Sequence, residues 1–147
     1  MSEIIHFRID GKPEPQGRPR ASRIGGNIRM YDPPKSKAYK QVVALTGRSY
    51  MARNQYKPLT SALKVTLGFY FKPPKSYSKK RLNAIKSRQE LYTKKPDVDN
   101  LAKGLTDALN NICYEDDAQI IEMVITKQYA DEEYAEITIE EVEGASD

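Results

Sequence analysis

Apolar and polar residues alternate near the start of the chain, Ile5, Phe7 and Ile9 against His6, Arg8 and Asp10, which is the period of a half-buried strand. The same period returns with Leu63, Val65, Leu67, Phe69 and Phe71 and stops at Pro73-Pro74, predicting the clearest strand in the sequence. Ile120 to Tyr129 predicts a further strand. After the polar turn Asp131-Glu132-Glu133, another runs through Ile137, Ile139 and Val142, and these two are expected to pair as an antiparallel hairpin. Helical spacing lies between. Tyr39, Val42, Val43, Thr46 and Tyr50 mark a helix after Pro33-Pro34. Ser78 caps a basic helix from residue 79 to about 91, with Leu82 and Ile85 on its apolar side. Leu101, Leu105, Ala108, Leu109 and Ile112 mark an amphipathic third helix capped by Asp99 or Asn100.

Residues 11–23 contain three prolines and two glycines, so they predict a basic loop rather than a helix or central strand. Gly25-Gly26-Asn27 suggests the tight turn of a hairpin leading into residues 28–31. There is no internal repeat and no long linker. The expectation is one α+β domain over residues 1–147, with a small mixed sheet, about three helices and a frayed tail at 144–147.

Composition narrows the chemistry. Mean hydropathy is −0.70 and 30% of residues are charged, with no run of eighteen apolar residues, so neither a membrane span nor a signal peptide is expected and a cytosolic location is. A single cysteine, Cys113, excludes an internal disulfide and a multi-cysteine zinc site; it reads as a small core residue. His6 is the only histidine, on a strand, which argues against catalysis by several histidines. Charge is lopsided. Residues 1–95 carry 22 of the 24 Lys+Arg and 5 of the 20 Asp+Glu, a balance of +17, whereas residues 96–147 stand at −13. A basic excess of that size, concentrated in loops, points to a polyanion and first to nucleic acid. Lys12, Arg18, Arg20, Arg23 and Arg29, with Lys79, Lys80 and Arg81 on the basic helix, are the expected phosphate contacts. Tyr31, Tyr70 and Tyr77 read as packing residues before base-stacking ones.

The acidic counterpart is the run Lys95-Pro96-Asp97-Val98-Asp99-Asn100-Leu101, answered by Glu115-Asp116-Asp117. Carboxylates held close resist joint ionisation unless a cation neutralises them, and hard cations such as Mg²⁺ take oxygen ligands. Asp97, Asp99, Asp116 and Asp117 are therefore the candidate metal ligands, for one or two Mg²⁺ ions that activate water and polarise a phosphate oxygen. Lys103, four residues after Asp99, can point to the same site, or can pair with Asp107 on the helix surface. The intervening helix spans roughly 15 Å, so this site requires the chain after Ile112 to fold back and bring Asp116-Asp117 beside the helix N-terminus.

These residues, with Asp107-Ala108-Leu109 and Asp116-Asp117-Ala118-Gln119-Ile120, resemble the RusA-type Holliday junction resolvases over about twenty-five residues. Pro15-Gln16-Gly17-Arg18-Pro19-Arg20 is more loosely similar to the early basic segment of that family. The resemblance implies an Mg²⁺-dependent homodimeric endonuclease that cuts four-way DNA junctions by paired symmetric nicks, with Mn²⁺ able to substitute. It also implies Asp97, Asp99 and Asp117 as essential acids, Asp116 as a fourth carboxylate and Lys103 as the catalytic lysine. Thr106 stands where some members carry an aromatic residue. Two other readings remain: a non-catalytic module that binds branched DNA around a structural cation, and a metal-dependent hydrolase or transferase acting on nucleotides.

Overall fold

Every inward position of the strand predicted from Leu63 to Phe71 is buried, and this strand is one of the two inner strands of the main sheet. The computed structural model describes residues 4–18 and 20–144; residues 145–147 of the expected frayed tail lie outside the described residues. In chain order the elements are β1 (Ile4–Asp10), β2 (Arg20–Ile24), β3 (Asn27–Tyr31), α1 (Pro34–Arg53), β4 (Leu63–Phe71), α2 (Lys79–Lys86) and α3 (Val98–Ala108). A single 3₁₀ turn (Asp117–Gln119), β5 (Ile120–Tyr129) and β6 (Tyr134–Glu141) complete the fold. This is the expected α+β domain with three helices and a mixed sheet.

The four-stranded sheet has the order β1-β6-β4-β5, with β5 parallel to β4 and the other pairs antiparallel. The expected hairpin between β5 and β6 does not form, because β4 lies between them. β4 ends before Pro73-Pro74, which cannot donate to a ladder, and the β5–β6 link crosses that end with Ala130 N–H donating to Phe71 O at 2.8 Å. A parallel neighbour needs a long crossover, which α2 and α3 provide. β2 and β3 form a separate hairpin, so the basic loop is shorter than expected at its C-terminal end.

One face of the sheet makes the core. Ile5, Ile9, Val65, Leu67, Phe69, Ala135, Ile137 and Ile139 pack under Val43 and Met51 of α1 and Leu101 and Leu105 of α3. Each of the larger of these side chains contributes roughly 1.5–3 kcal/mol of burial. The helices approach closely at Gly47, where a Cβ would stand 2.7 Å from Leu109 Cδ2. Cys113 is fully buried, and burial pushes its thiol up to about 12, which fits a core residue. The opposite sheet face is polar: His6 Nδ1 lies 2.8 Å from Thr138 Oγ1, and Tyr70 stacks on Tyr134 at 4.4 Å.

Two helices end earlier than their patterns suggest. Ser78 caps α2 as predicted, its Oγ accepting from Arg81 N–H, but the helix closes at Lys86. Arg88 then adopts φ +63°; its N–H donates to Ile85 O and that of Gln89 to Ala84 O, the paired bonds of a Schellman end. α3 stops at Ala108, before the last members of its apolar stripe, and Ile112 is buried in the turn that follows.

Candidate active site

Asp97 occupies the N-cap position of α3 in extended backbone, two residues earlier than the nearer of the two expected caps, Asp99. Its side chain makes no capping bond and instead accepts from Lys95 Nζ at 3.0 Å. Asp99 follows in the first turn, exposed, where the helix dipole favours a carboxylate. Asp99, Lys103 and Asp107 then recur at intervals of four, so the outer face of α3 carries acid, base and acid while Leu101 and Leu105 face inward.

The basic loop packs onto this face. Gln16 N–H donates to Asn100 O at 3.0 Å, and the loop lies against α3 at Gly104, where a Cβ would make ordinary contact with Gln16. Ser36 fixes the loop from α1: its Oγ accepts from Gly17 N–H at 2.8 Å and donates to Pro15 O at 3.0 Å. A cleft of about 430 Å³ results, with Arg18, Asn100, Lys103 and Asp107 in its walls. Lys40, from α1, closes it. Its ammonium lies 2.8 Å from Asp107 and 3.1 Å from Asp32. Burial pulls that ammonium down, but the two hydrogen bonds outweigh it and hold its pKa above the ordinary lysine value. The carboxylate expected to pair with Lys103 is thus taken by Lys40, and Lys103 makes no ion pair among the described residues.

The chain does fold back after α3, but to the other end of the helix. Asp117 N–H donates to Asn110 Oδ1 at 2.8 Å, and β5 then runs back along α3 until Lys127 Nζ reaches Pro96 O at 2.9 Å. Asp116 caps the 3₁₀ turn, its Oδ1 accepting from Ala118 N–H while its own N–H donates to Gln119 Oε1. Asp117 is half-buried. Burial first, then the Asp116 carboxyl and the charge of Asp107, raise its pKa above the usual carboxylate range, against a lowering hydrogen bond from Asn110. The acids therefore stand in two groups, Asp97/Asp99 at one end of α3 and Asp107/Asp116/Asp117 at the other. Among the described residues no three acidic, histidine or cysteine side chains come together closely enough to hold a metal ion. The donor chemistry suits a hard cation, whereas the expected four-carboxylate gathering at the helix N-terminus is absent from the single chain.

The expected phosphate contacts spread over two surfaces. Lys12, Arg18, Arg23 and Arg29 are exposed on the loop and the β2–β3 hairpin; the side chain of Arg20 lies outside the described residues. Lys79 and Lys80 are exposed in the first turn of α2, where the dipole disfavours cations. Arg81 is instead paired with Glu90 at 3.0 Å and lies 3.6 Å over the Tyr77 ring. Sequence reasoning missed Lys40, Gln16 and Asn110. Of these only Gln16 lay in a segment that the sequence had singled out, Pro15 to Arg20.

The α+β fold thus packs a basic loop onto a helix that bears spaced acids and a lysine with no ion pair among the described residues. The endodeoxyribonuclease RusA family matches residues 10–140, and the chain belongs to that family. It is also 39% identical over 145 residues to a Bacillus subtilis (strain 168) protein described as "Uncharacterized protein YqaN", covering 95% of this chain and 98% of that one. Among the described residues no helix is long and apolar enough to cross a membrane.

Proposed function

We propose that this protein is a structure-selective DNA endonuclease that resolves four-way junctions by paired symmetric nicks, with Mg²⁺ as its cofactor. The observation that carries the reading is the Gln16–Asn100 bond, which seats the basic loop on the helix that bears Asp97, Asp99 and Lys103. Arg18 and the hairpin cations hold the backbone phosphates over that face, and Lys103, which has no acidic partner among the described residues, offers its charge to the phosphate oxygens as they gain charge. Asp97 and Asp99 at one end of α3, and Asp116 and Asp117 at the other, would act as two separate half-sites for the cation, which when bound would supply phosphate polarisation and a more acidic water.

A homodimer fits two strands of opposite polarity. It is supported by β5, an edge strand on which Ile121 is 65% and Val124 45% exposed, since such edges are normally covered or charged. The Ile121→Lys/Val124→Lys protein is expected to elute as a monomer where the wild type is a dimer.

The division of the acids into two groups favours one alternative, a branched-DNA-binding module without catalysis. A single experiment separates the two: cleavage of a four-way junction, against a linear duplex of matching sequence, with and without Mg²⁺. Symmetric nicks on the junction alone, lost in EDTA, are the expected result. Tight junction binding with no nicks under any metal would transfer the case to the binding module.

A further inference from the structure

Beyond the cleft on α3, a second and larger concavity of about 710 Å³ opens between α2 and the ends of β4 and β5. Its size lies within the roughly 300–1,000 Å³ of small-molecule sites. Leu82 and Ile85 of α2 and the ring of Tyr129 give it apolar walls, and Lys72, Lys75, Lys86 and Arg88 stand around it against one acid, Asp131. Among the described residues none of these four cations forms an ion pair, in contrast to Arg81 on the same helix. Tyr129 packs on Tyr92 at 4.7 Å, and the Tyr92 hydroxyl donates to Lys95 O, two residues before Asp97. The groove and the acidic run thus share one scaffold.

The backbone at Arg88 adds an independent observation. It fills the position after the α2 C-cap with φ +63°, where glycine is the unstrained choice and a long side chain is disfavoured. The side chain kept there lines this groove and also the adjoining one over Thr126 and Gln128. Strain retained at such a place points to use of the side chain.

The geometry points to this groove as a subsite for an unstacked nucleotide of the DNA substrate, its base against Ile85 and Tyr129 and its flanking phosphates on Lys75, Lys86 and Arg88. A paired duplex offers only backbone to such a surface, whereas a single-stranded segment has base faces to bury, and stacking plus cations is the general mode of single-strand binding. The assignment rests on the nuclease reading only for the source of that strand.

The test uses the full-length protein in EDTA, with a duplex, the same duplex carrying a single-stranded tail with 2-aminopurine, and a fully paired junction. Wild type is expected to prefer the tailed duplex and to change the 2-aminopurine fluorescence on binding. Arg88→Gly is expected to raise the melting temperature while weakening tail binding about tenfold, the loss of one stacking or phosphate contact. Its affinity for the paired junction is expected to stay unchanged. Lys75→Ala/Lys86→Ala is expected to flatten the salt dependence of tail binding by about 1.4 in log–log slope. Equal tail affinity in wild type and Arg88→Gly, or a silent 2-aminopurine, overturns the subsite. Junction cutting in the separate Mg²⁺ cleavage assay, without any tail preference in EDTA, removes the subsite and leaves the nuclease reading standing. Arg88-dependent tail binding in a protein that never cuts does the reverse.

Discussion

The two ends of α3 carry acids under different constraints. At the N-terminal end, Asp97 accepts an ion pair from Lys95, which is itself 84% exposed, and Asp99 projects into solvent beside the helix dipole. At the C-terminal end, Asp117 is partly buried with Asp116 and Asp107 nearby, and Lys40 neutralises only Asp107. The first arrangement is at ease without a cation. The second stores repulsion that a cation would relieve, because like charges in a poorly solvated site resist joint ionisation. Placing the two groups at opposite ends of one helix makes α3 a ruler that holds two half-sites apart.

The largest expected effect tests whether the exposed end is chemical at all. Asp99→Asn should lower junction cleavage by about 10²–10³-fold, since charge stabilisation by a held cation is worth several kcal/mol. Junction affinity in EDTA should be unchanged. A variant that cuts at the wild-type rate would show that Asp99 only decorates the helix start.

The crowded end predicts a pH and metal signature. The folded-state pKa of Asp117 is raised, so its contribution to stability is present below the unfolded carboxylate value and is lost as pH rises through the folded one. Metal-free protein should therefore lose stability over that rise, and Mg²⁺ at neutral pH should restore it, by about 1.4 kcal/mol at ten times its dissociation constant. Asp117→Asn should melt higher than wild type in EDTA and gain less from Mg²⁺, as followed by thermal denaturation. If Mg²⁺ stabilises wild type and Asp117→Asn equally, the cation is bound elsewhere.

What the sequence could and could not convey follows from the range of each interaction. Strands β1 and β4 were legible because alternation is local and both bury one face. The partner of β5 was not, since a four-residue polar link reads as a hairpin whether it joins neighbours or crosses the end of another strand. The acids themselves were conspicuous, but their grouping depended on Asn110 catching Asp117 N–H, a bond with no pattern around it. Lys40 lies 67 residues from Asp107 on another helix and is one lysine among many.

A smaller effect isolates Lys40. With a side chain only 17% exposed and two carboxylates to hold, Lys40→Met should cost about 1–3 kcal/mol of stability, the range for stranding a charge-assisted partner. It also leaves Asp107 unneutralised beside Asp117, so the pH-dependent loss described above should steepen. An unchanged pH profile in Lys40→Met would mean that Asp107 and Asp117 do not interact strongly enough to matter.

The smallest effect concerns the basic surfaces that flank α3, where the paired and unpaired cations of α2 should part company. Lys79 and Lys80 are exposed, carry no acidic partner among the described residues and sit at the helix end least suited to them. Arg81, one residue on, is spent on Glu90 and Tyr77. Removing a phosphate contact lowers the log–log salt slope of duplex binding by about 0.9. Lys79→Ala/Lys80→Ala should therefore reduce the slope by about 1.8 and leave thermal stability alone. Arg81→Ala should leave the slope in place and lower the melting temperature instead, because it strands Glu90 and uncovers a ring. Equal slopes for the two variants would mean that the ion pair opens in the complex, and that Arg81 reaches phosphate as readily as its neighbours.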